Sequence, residues 1–293
     1  MVHLTTGQPE LVRVITYNVR YATQKPVAGE QPWHVRCPKL CAQLKFLTAG
    51  HTSAFICLQE TLHSQLEDIQ AHLGDSWARL GQGRDDGKLA GEFSPIFYRK
   101  TTWRCERSKT YWLSDTPEKP SRGWDAVLNR VVTVGEFRHQ QSGATVVIMS
   151  THFDHQGTVA RKESAKLLLR IAKEWSRSGN GSRAVPVVLG GDFNSAPEEP
   201  AYKVMTAAGS GMIDLRHVLP KANRHGNEIT YTSFGEPWET PRTIDFLFMT
   251  EESSATVQTF AVLANRFDDK VYLSDHRPIV ADIEIPGSVD DKP

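Results

Sequence analysis

An apolar run that stops at a pair of glycines, followed by an acid and an amide, constrains this fold more than any other stretch. It occupies residues 187–197 and reads Val-Val-Leu-Gly-Gly-Asp-Phe-Asn-Ser-Ala-Pro. A short apolar run bounded by glycine predicts a buried strand that enters a loop. If the backbone stays extended past the glycines, Asp192 and Asn194 point the same way and Phe193 turns into the core. The alternative is a plain Asx turn that leads into a helix.

The same design, an apolar run that ends in a polar side chain, recurs near the start of the chain. The first run ends on Asn18, and a second run, residues 54–60, ends on Glu60. Helical spacing of apolar residues follows each run, at 35–49 and at 62–73. This order of strand, helix, strand and helix predicts an α/β beginning. Open sheets of this class place ligands at the carboxyl ends of their strands.

Further along the chain, strand-like runs follow one another with short gaps, as in antiparallel ladders. Besides the run into Asp192, the predicted strands are residues 11–18, 54–60, 93–99, 103–113, 127–137, 144–152, 244–249 and 257–263. Residues 159–175 carry the clearest helical stripe of apolar side chains. Near the end, Asp275 and His276 immediately precede an apolar run instead of following one.

Composition limits both the size of the protein and its partners. The chain has 293 residues, of which 39% are hydrophobic and 23% charged, so it can build a large core. Its 34 basic and 34 acidic residues give a net charge of +0, so no global field attracts a long polyanion such as DNA. No internal repeat or long linker divides the chain. We therefore predict one domain over residues 11–286, with an N-terminal extension at 1–10 and a C-terminal tail at 287–293.

The cysteines and the N-terminus indicate a reducing, aqueous environment. The four cysteines, Cys37, Cys41, Cys57 and Cys105, have neither the Cys-x-x-Cys spacing of a redox motif nor the density of a disulfide framework. The first residues lack a basic start followed by an apolar core, and no apolar stretch reaches the length of a bilayer. We predict reduced structural thiols in a soluble intracellular, cytoplasmic protein, although a processed mature form has the same features.

Six short motifs, each at the end of a predicted strand or before one, occur in a characteristic order. They are Thr16-Tyr17-Asn18, Leu58-Gln59-Glu60-Thr61, Ser150-Thr151-His152, Gly191-Asp192-Phe193-Asn194, Ile244-Asp245-Phe246 and Ser274-Asp275-His276-Arg277-Pro278. With them, the chain resembles the metal-dependent endonuclease/exonuclease/phosphatase superfamily related to deoxyribonuclease I. The resemblance implies an α/β fold of four layers, in which two mixed β-sheets pack face to face and helices flank them.

The chemistry of phosphate ester hydrolysis agrees with this resemblance. Such hydrolysis needs charge neutralised on the phosphoryl oxygens, an activated water and a stabilised leaving oxygen. Mg²⁺ or Mn²⁺ suits this task and takes oxygen ligands, with few carboxylates and several waters. Asn18, Glu60 and Asp275 are the predicted metal ligands. The alternatives are that Asn18 and Asp275 cap neighbouring elements and that Glu60 is a surface acid.

Two histidines adjoin strands and match superfamily positions. The resemblance implies that His276 polarises or deprotonates the attacking water, with Asp245 fixing its tautomer, and that His152 donates to a phosphoryl oxygen. Asp192 and Asn194 are then expected to orient the nucleophile and contact the phosphate. For His152 the alternative is a hydrogen-bonded histidine of the core.

Residues that contact the substrate are harder to place from sequence. The resemblance implies roles for Tyr98 and Arg130, because a Tyr and an Arg from comparable strands of the superfamily touch phosphate or base. Aromatic and arginine side chains suit bases, sugars and phosphates, and four further ones are candidates for the mouth of the site. These are Arg84, Trp112, Trp124 and Arg161, for which ordinary packing or solvated charge is the alternative.

Together these patterns predict a divalent-metal-dependent hydrolase of phosphodiesters or phosphomonoesters. We expect it to act as a monomer, without membrane or obligate protein partner, on a phosphorylated small molecule or a short nucleic acid. One alternative is a binding module that keeps the fold without catalysis. Another is a metal-independent hydrolase with a Ser or Cys nucleophile, but Gly-x-Ser-x-Gly is absent and Cys57 lies in an apolar run.

Overall fold

Two β-sheets stacked face to face form the centre of the computed structural model, which describes residues 8–177 and 184–287. The strands are β1 (Glu10–Asn18), β2 (Ala54–Gln59), β3 (Trp77–Leu80), β4 (Ile96–Arg99), β5 (Trp103–Trp112), β6 (Val131–His139), β7 (Thr145–His152), β8 (Val187–Asp192), β9 (Met212–Asp214), β10 (His225–Gly226), β11 (Asp245–Thr250), β12 (Thr256–Val262) and β13 (Ile279–Ile285). Most of the predicted N-terminal extension and C-terminal tail lies outside the described residues.

Each sheet mixes parallel and antiparallel pairs. The seven-stranded sheet has the order β10-β12-β13-β1-β2-β4-β3, and the six-stranded sheet has the order β5-β6-β7-β8-β11-β9. In the centre of the first sheet β1 runs parallel to β2, and in the centre of the second β7 runs parallel to β8. The predicted site residues Asn18, Glu60, His152 and Asp192 therefore lie at or directly after the carboxyl ends of these four strands.

The helices cover the outer faces of the sheets. They are α1 (Trp33–Thr48), α2 (His63–Leu73), α3 (Thr158–Ser176), α4 (Pro200–Thr206) and α5 (Leu215–Val218), with a 3₁₀ turn at Lys221–Asn223. Apolar side chains of α1 and α2 pack on the seven-stranded sheet, and those of α3 and α4 pack on the six-stranded sheet. A third apolar cluster, which includes Val14, Phe55, Ile148, Val188 and Leu247, fills the space between the sheets. The predicted four-layer sandwich is confirmed.

Burial explains why two of the central strands, β2 and β8, have apolar sequences up to their last residues. Every residue of β2 and of β8 is buried, because one face of each strand meets the other sheet and the opposite face meets helices. The edge strand β5 is largely exposed along its middle, and its charged side chains do not follow a simple alternation. The aromatic residues at its two ends are what mark this segment as a strand in the sequence.

Two predicted strands begin later than their sequences indicated. The strand predicted from residue 127 begins at Val131, because the backbone N–H groups of Val127 and Leu128 donate to the Asp154 carboxylate at 3.2 Å instead of joining a ladder. The strand predicted from residue 93 begins at Ile96, and Phe93 forms only an isolated bridge with Thr61. Among the described residues, no helix combines the length and the apolar character needed to cross a bilayer.

Candidate active site

A polar cleft opens where the carboxyl ends of the central strands of both sheets meet. Its volume is about 590 Å³. The residues that line it are Arg20, Tyr21, Glu60, Arg84, Glu92, Leu128, Arg130, His152, His155, Asp192, Asn194, Tyr231, Glu239, Arg242, Ile244, Asp275 and His276. Seven of the predicted site residues are in this set: Glu60, Arg130, His152, Asp192, Asn194, Asp275 and His276.

Strand register places Asp192 at the centre of the cleft. On one side β8 runs parallel to β7, which sets Asp192 beside His152. On the other side β8 runs antiparallel to β11, which sets Asp192 beside Asp245. The three side chains are far apart in sequence, and only the pairing of neighbouring strands brings them together.

The loop after β8 is both an Asx turn and part of the site. Asp192 Oδ1 accepts the backbone N–H of Asn194 at 2.8 Å, and Asn194 has a positive φ of 45°. The extended backbone expected past the glycines therefore stops, because the turn satisfies the amide locally. Both side chains still face the cleft, where Asp192 Oδ2 lies 3.4 Å from His152 Nε2 and Asn194 Nδ2 lies 2.9 Å from it. Phe193 is fully buried as predicted.

His276 and Asp245 form a close, buried ionisable pair at the cleft. His276 Nδ1 lies 2.8 Å and 3.0 Å from the two carboxylate oxygens of Asp245, and both residues are buried. Burial alone lowers the pKa of His276, but the Asp245 and Asp192 carboxylates outweigh it and raise that pKa to about 10. His276 is therefore an imidazolium at neutral pH. Its free Nε2 lies 3.7 Å from Asp192 Oδ2.

His152 has the opposite electrostatic character. Burial and the neighbouring Arg130 guanidinium hold the pKa of His152 well below its usual range, so the ring is neutral. Arg130 Nη1 lies 3.0 Å from His152 Nδ1, and a guanidinium only donates. Nδ1 is thus the acceptor, and the ring proton sits on Nε2, which faces Asp192 and Asn194.

Asn18 and Glu60 close the cleft on the side of the seven-stranded sheet. Asn18 is fully buried, and its Nδ2 donates to Glu60 Oε1 at 3.1 Å and to Asp192 Oδ2 at 3.0 Å. Glu60 has a positive φ of 57°, and its Oε2 accepts the backbone N–H of Tyr21 at 3.2 Å. Burial opposes ionisation of Glu60, but Arg20 and His276 outweigh it and lower the pKa of this carboxyl. Glu60 is thus a charged carboxylate at the rim.

The carboxylates and imidazoles of the cleft lie close enough to share a cation. Among the described residues, ligand atoms of Glu60, His152 and Asp192 lie within 4.8 Å of one another, and so do those of Asp192, Asp245 and His276. Asp275 lines the same cleft but is in neither group, and burial raises its pKa. The predicted ligands therefore split: Glu60 is grouped with Asp192, Asn18 bridges those two carboxylates, and Asp275 faces them. Carboxylate oxygens are the donors that hard divalent cations prefer, so this donor set fits such an ion.

Of the two residues predicted to contact the substrate from strands, Arg130 lines the cleft and Tyr98 does not. Arg130 is buried in the cleft wall, 3.6 Å from Asp154 and 3.8 Å from Glu92. Tyr98 does not line the cleft, and its ring packs against Phe137 with ring centroids 4.8 Å apart, so the structure does not bring it together with the other predicted site residues. Side chains alternate between the two faces of a sheet, but a strand of four residues is too short for its sequence to show which face lies towards the cleft.

The four further candidates for the mouth also divide. Arg84 lines the cleft, whereas the indole of Trp112 donates to its backbone carbonyl at 2.7 Å and supports it from behind. Arg161 is used structurally, since its guanidinium bonds Ser195, the Asp154 carbonyl and Glu199. Trp124 is half-buried with a positive φ of 51° and does not line the cleft.

The sequence patterns missed two functional carboxylates. Glu92 follows no apolar run, yet its Oε2 accepts from Arg84 at 2.6 Å and lies 3.8 Å from His152 Nδ1. Burial and the charge of Glu60 raise the pKa of Glu92 to about 7. Asp154 orders the loop before α3 by accepting the backbone N–H groups of Gln156 and Gly157. In the sequence, the only indication of a role for Asp154 was its position two residues after His152.

The one core thiol considered as a nucleophile is out of reach of the cleft. Cys57 is fully buried between the sheets, and its Sγ lies 3.7 Å from the Met149 carbonyl. Burial raises the pKa of Cys57 to about 12, so the thiol stays protonated. A cysteine mechanism at this position has no geometric support.

Comparison with known proteins assigns a family. Residues 15–276 match the Endonuclease/Exonuclease/phosphatase family. A solved endonuclease/exonuclease/phosphatase of Bacteroides vulgatus is 34% identical, with a TM-score of 0.80 over 94% of this chain and 99% of that one. A solved mannosyl-6-phosphatase of Bacteroides thetaiotaomicron is 30% identical, with a TM-score of 0.81 over 93% of this chain and 99% of that one.

A curated relative is longer than this chain. Nocturnin of Drosophila melanogaster is 23% identical over 322 residues, which cover 94% of this chain and 47% of that protein. The chain thus spans about half the length of this relative. The family match begins within β1 and ends at His276, so it covers the first five motifs, the first three residues of the sixth and every residue that lines the cleft. The chain therefore belongs to the Endonuclease/Exonuclease/phosphatase family.

Proposed function

We propose that this protein hydrolyses a phosphate ester by attack of water, assisted by a divalent cation, Mg²⁺ or Mn²⁺. Members of its family are hydrolases that act on phosphoester bonds. One observation carries the proposal for this chain: a neutral imidazole, His152, and a charged one, His276, face the same carboxylate, Asp192, from neighbouring strands. Such a site holds a hydrogen-bond donor, a fixed positive charge and a proton acceptor around one point.

The cation belongs on the side of the seven-stranded sheet. Glu60 and Asp275 are the carboxylates that would hold it, with the Asn18 amide fixing the orientation of Glu60. A bound divalent cation neutralises charge on the phosphoryl oxygens and on the leaving oxygen. Without a cation, burial and the negative charge of Glu60 both raise the pKa of Asp275.

Asp192 is the group that we assign to the attacking water. The Asn18 side chain holds one of its oxygens and the backbone N–H of Asn194 holds the other, so the carboxylate is fixed at the centre of the cleft. Burial and the Asp245 carboxylate raise the pKa of Asp192 to about 7, a value suited to proton transfer near neutral pH. The water oxygen bonds to phosphorus, the ester oxygen leaves, and the water proton passes to Asp192.

The two histidines and Asn194 then stabilise the charge that builds on phosphorus. His152 Nε2 and Asn194 Nδ2 lie 2.9 Å apart and both carry protons, so an acceptor such as a phosphoryl oxygen that lies beside both nitrogens relieves their repulsion and accepts from both. His276 is charged already, because Asp245 and Asp192 keep its proton. Its role in this scheme is electrostatic, so of the two roles expected from the sequence, polarising or deprotonating the water, we propose the first.

The cleft favours a compact phosphate ester over a long nucleic acid. Its acidic side chains Glu92 and Glu239 stand beside the arginines, and Arg20 and Arg84 are already paired with acids, so little uncompensated positive charge is left for a polyanion. The similarity to a mannosyl-6-phosphatase over 93% of this chain agrees with a sugar phosphate or a similarly small ester. We also propose that the chain acts as a monomer, as its sequence led us to expect.

A hydrolysis screen tests the proposal. Phosphate release is measured with Mg²⁺ or Mn²⁺ over sugar phosphates, inositol phosphates, nucleotides, a dinucleotide and single-stranded DNA and RNA. We expect turnover of at least one small ester and a loss on the order of a thousandfold in Asp192→Asn. Asp214→Asn is the matched control, because Asp214 is a buried carboxylate of the same sheet that bonds Tyr202 outside the cleft.

The outcome of this screen separates the proposal from a binding module without catalysis. If no substrate is turned over while small phosphate esters still bind, the protein is a binding module that keeps the fold. Equal losses in Asp192→Asn and Asp214→Asn would show that the substitutions damage the sheet and that the assigned role of Asp192 is wrong.

A further inference from the structure

Two helices remote from the cleft bring metal-binding side chains together. Cys37 and Cys41 stand one turn apart on α1, and His72 stands in the last turn of α2, which packs beside α1. The two thiol sulfurs and an imidazole nitrogen lie within 4.8 Å of one another. The cluster is on the outer face of the seven-stranded sheet, and none of its members lines the catalytic cleft.

We propose that Cys37, Cys41 and His72 form a second metal site, which binds a thiophilic cation such as Zn²⁺. The two sulfurs are 3.9 Å apart. Two thiolates that bind one tetrahedral zinc at about 2.3 Å are themselves about 3.8 Å apart, so the sulfurs already have the required spacing. Two thiolates and one imidazole are also a donor set that zinc takes in proteins.

The helix pair fixes the positions of these donors. Residues four apart on a helix lie on the same face, so Cys37 and Cys41 face α2 together. On α2, Asp68 stands one turn before His72 and therefore on the same face. Asp68 also accepts the indole N–H of Trp33 at 2.8 Å, which orients it. Either Asp68 or a water molecule completes the fourth position.

Burial determines how the ion would enter and what it would do. The exposed fractions of Cys37 and Cys41 are 5% and 0%, whereas His72 is half-buried and Asp68 is exposed. An ion would thus enter from the side of α2 and end in a largely dry pocket. Bound there, it would link α1 to α2, so it should stabilise the fold against heat without taking part in the chemistry of the cleft.

Cobalt is the probe for this site, because Co²⁺ bound to thiolate gives a charge-transfer absorption that oxygen and nitrogen ligands do not give. The lining of the catalytic cleft contains no cysteine, so cobalt bound there is silent in this band. The full chain, treated with a chelator and kept reduced, is titrated with Co²⁺. We expect one equivalent to produce the band, complete loss in the Cys37→Ser/Cys41→Ser double variant, and at least about tenfold weaker binding in His72→Gln.

The matched control is Cys105→Ser. Cys105 is a half-buried thiol of β5, outside the group, and its substitution should leave both the band and the affinity unchanged. A band that persists in the double variant, or no band in the unaltered protein at stoichiometric Co²⁺, overturns the proposal. If the double variant does not fold, the His72→Gln variant, which changes a partly exposed residue, tests the proposal instead. Unchanged cobalt affinity in that variant excludes the site.

A thermal measurement gives an independent readout. Added Zn²⁺ should raise the Tm of the unaltered protein and of Cys105→Ser, and should raise it much less in His72→Gln. Equal shifts in all three proteins would assign the stabilisation to the catalytic cleft and overturn the proposal. Phosphate release at saturating Mg²⁺ should be the same in His72→Gln and the unaltered protein, so this site and the catalytic proposal fail independently.

Discussion

Replacing Asp245 by asparagine tests whether the His276–Asp245 pair acts as a unit. The substitution keeps the shape of the side chain and removes the charge that lies 2.8 Å from His276 Nδ1 in a buried site. A hydrogen bond between charged groups contributes about 1.5–3 kcal/mol. If the transition state depends on the charged imidazole, this loss lowers kcat/KM by about 10- to 150-fold.

A double-mutant cycle supplies the decisive comparison. His276→Ala removes the imidazole itself, and we expect it to cost a factor on the order of a hundred or more. The Asp245→Asn/His276→Ala double variant should be little worse than His276→Ala alone, because the hydrogen-bond partner of Asp245 in the cleft is the ring of His276. The assay is initial-rate hydrolysis of the best small ester at saturating cation, with Asp214→Asn as control and thermal unfolding to verify folding. Losses that multiply in the double variant would refute the pairing.

Three further predictions concern the cation, the charge of His276 and the substrate. Glu60→Ala should abolish activity and weaken Mn²⁺ binding in calorimetry without unfolding the protein, because alanine has the same Cβ as glutamate at the positive φ of 57°; unchanged affinity would remove Glu60 from the metal site. His276 has its pKa raised from 6.5 to about 10, so its stabilising contribution is complete below pH 6.5 and is lost as the pH rises through 10. Nuclear magnetic resonance of the ring should follow that titration in the cation-free protein and find a lower pKa in Asp245→Asn, and a midpoint near 6.5 in the unaltered protein would contradict it. The KM for the preferred ester should change with salt as if roughly one or two phosphate contacts were made, and a steep slope with better turnover of long oligonucleotides would indicate a basic track instead.

The strand runs and the order of the motifs were sufficient to predict the fold class. The runs into Glu60 and Asp192 contain no polar residue before their ends because β2 and β8 are covered on both faces, and burial of that kind is directly visible in the sequence. Short elements such as β3, β9 and α4 left no such mark. Each gains its stability from the neighbour on which it packs and not from its own periodicity.

The residues of the cleft also divide into those that the sequence could predict and those that it could not. Residues that end a long strand, among them Glu60 and Asp192, could be predicted because the end of the strand fixes the direction of the side chain. Glu92 lies in an irregular loop, and only its contact with Arg84 at 2.6 Å brings it beside His152. Tyr98 lies on a strand, as predicted, but its ring packs against Phe137 and does not line the cleft.

By itself, the sequence determined which residue types are available and on which side of each strand they end. Only the tertiary structure decided how they combine: strand pairing sets Asp192 between His152 and Asp245, and the charges of those neighbours make one histidine neutral and the other charged. The same holds for Cys37 and Cys41, whose spacing on α1 carried no signal until the packing of α2 placed His72 against them. Proton affinity and metal binding depend on distances of a few ångströms, and such distances arise between segments that the chain order keeps far apart.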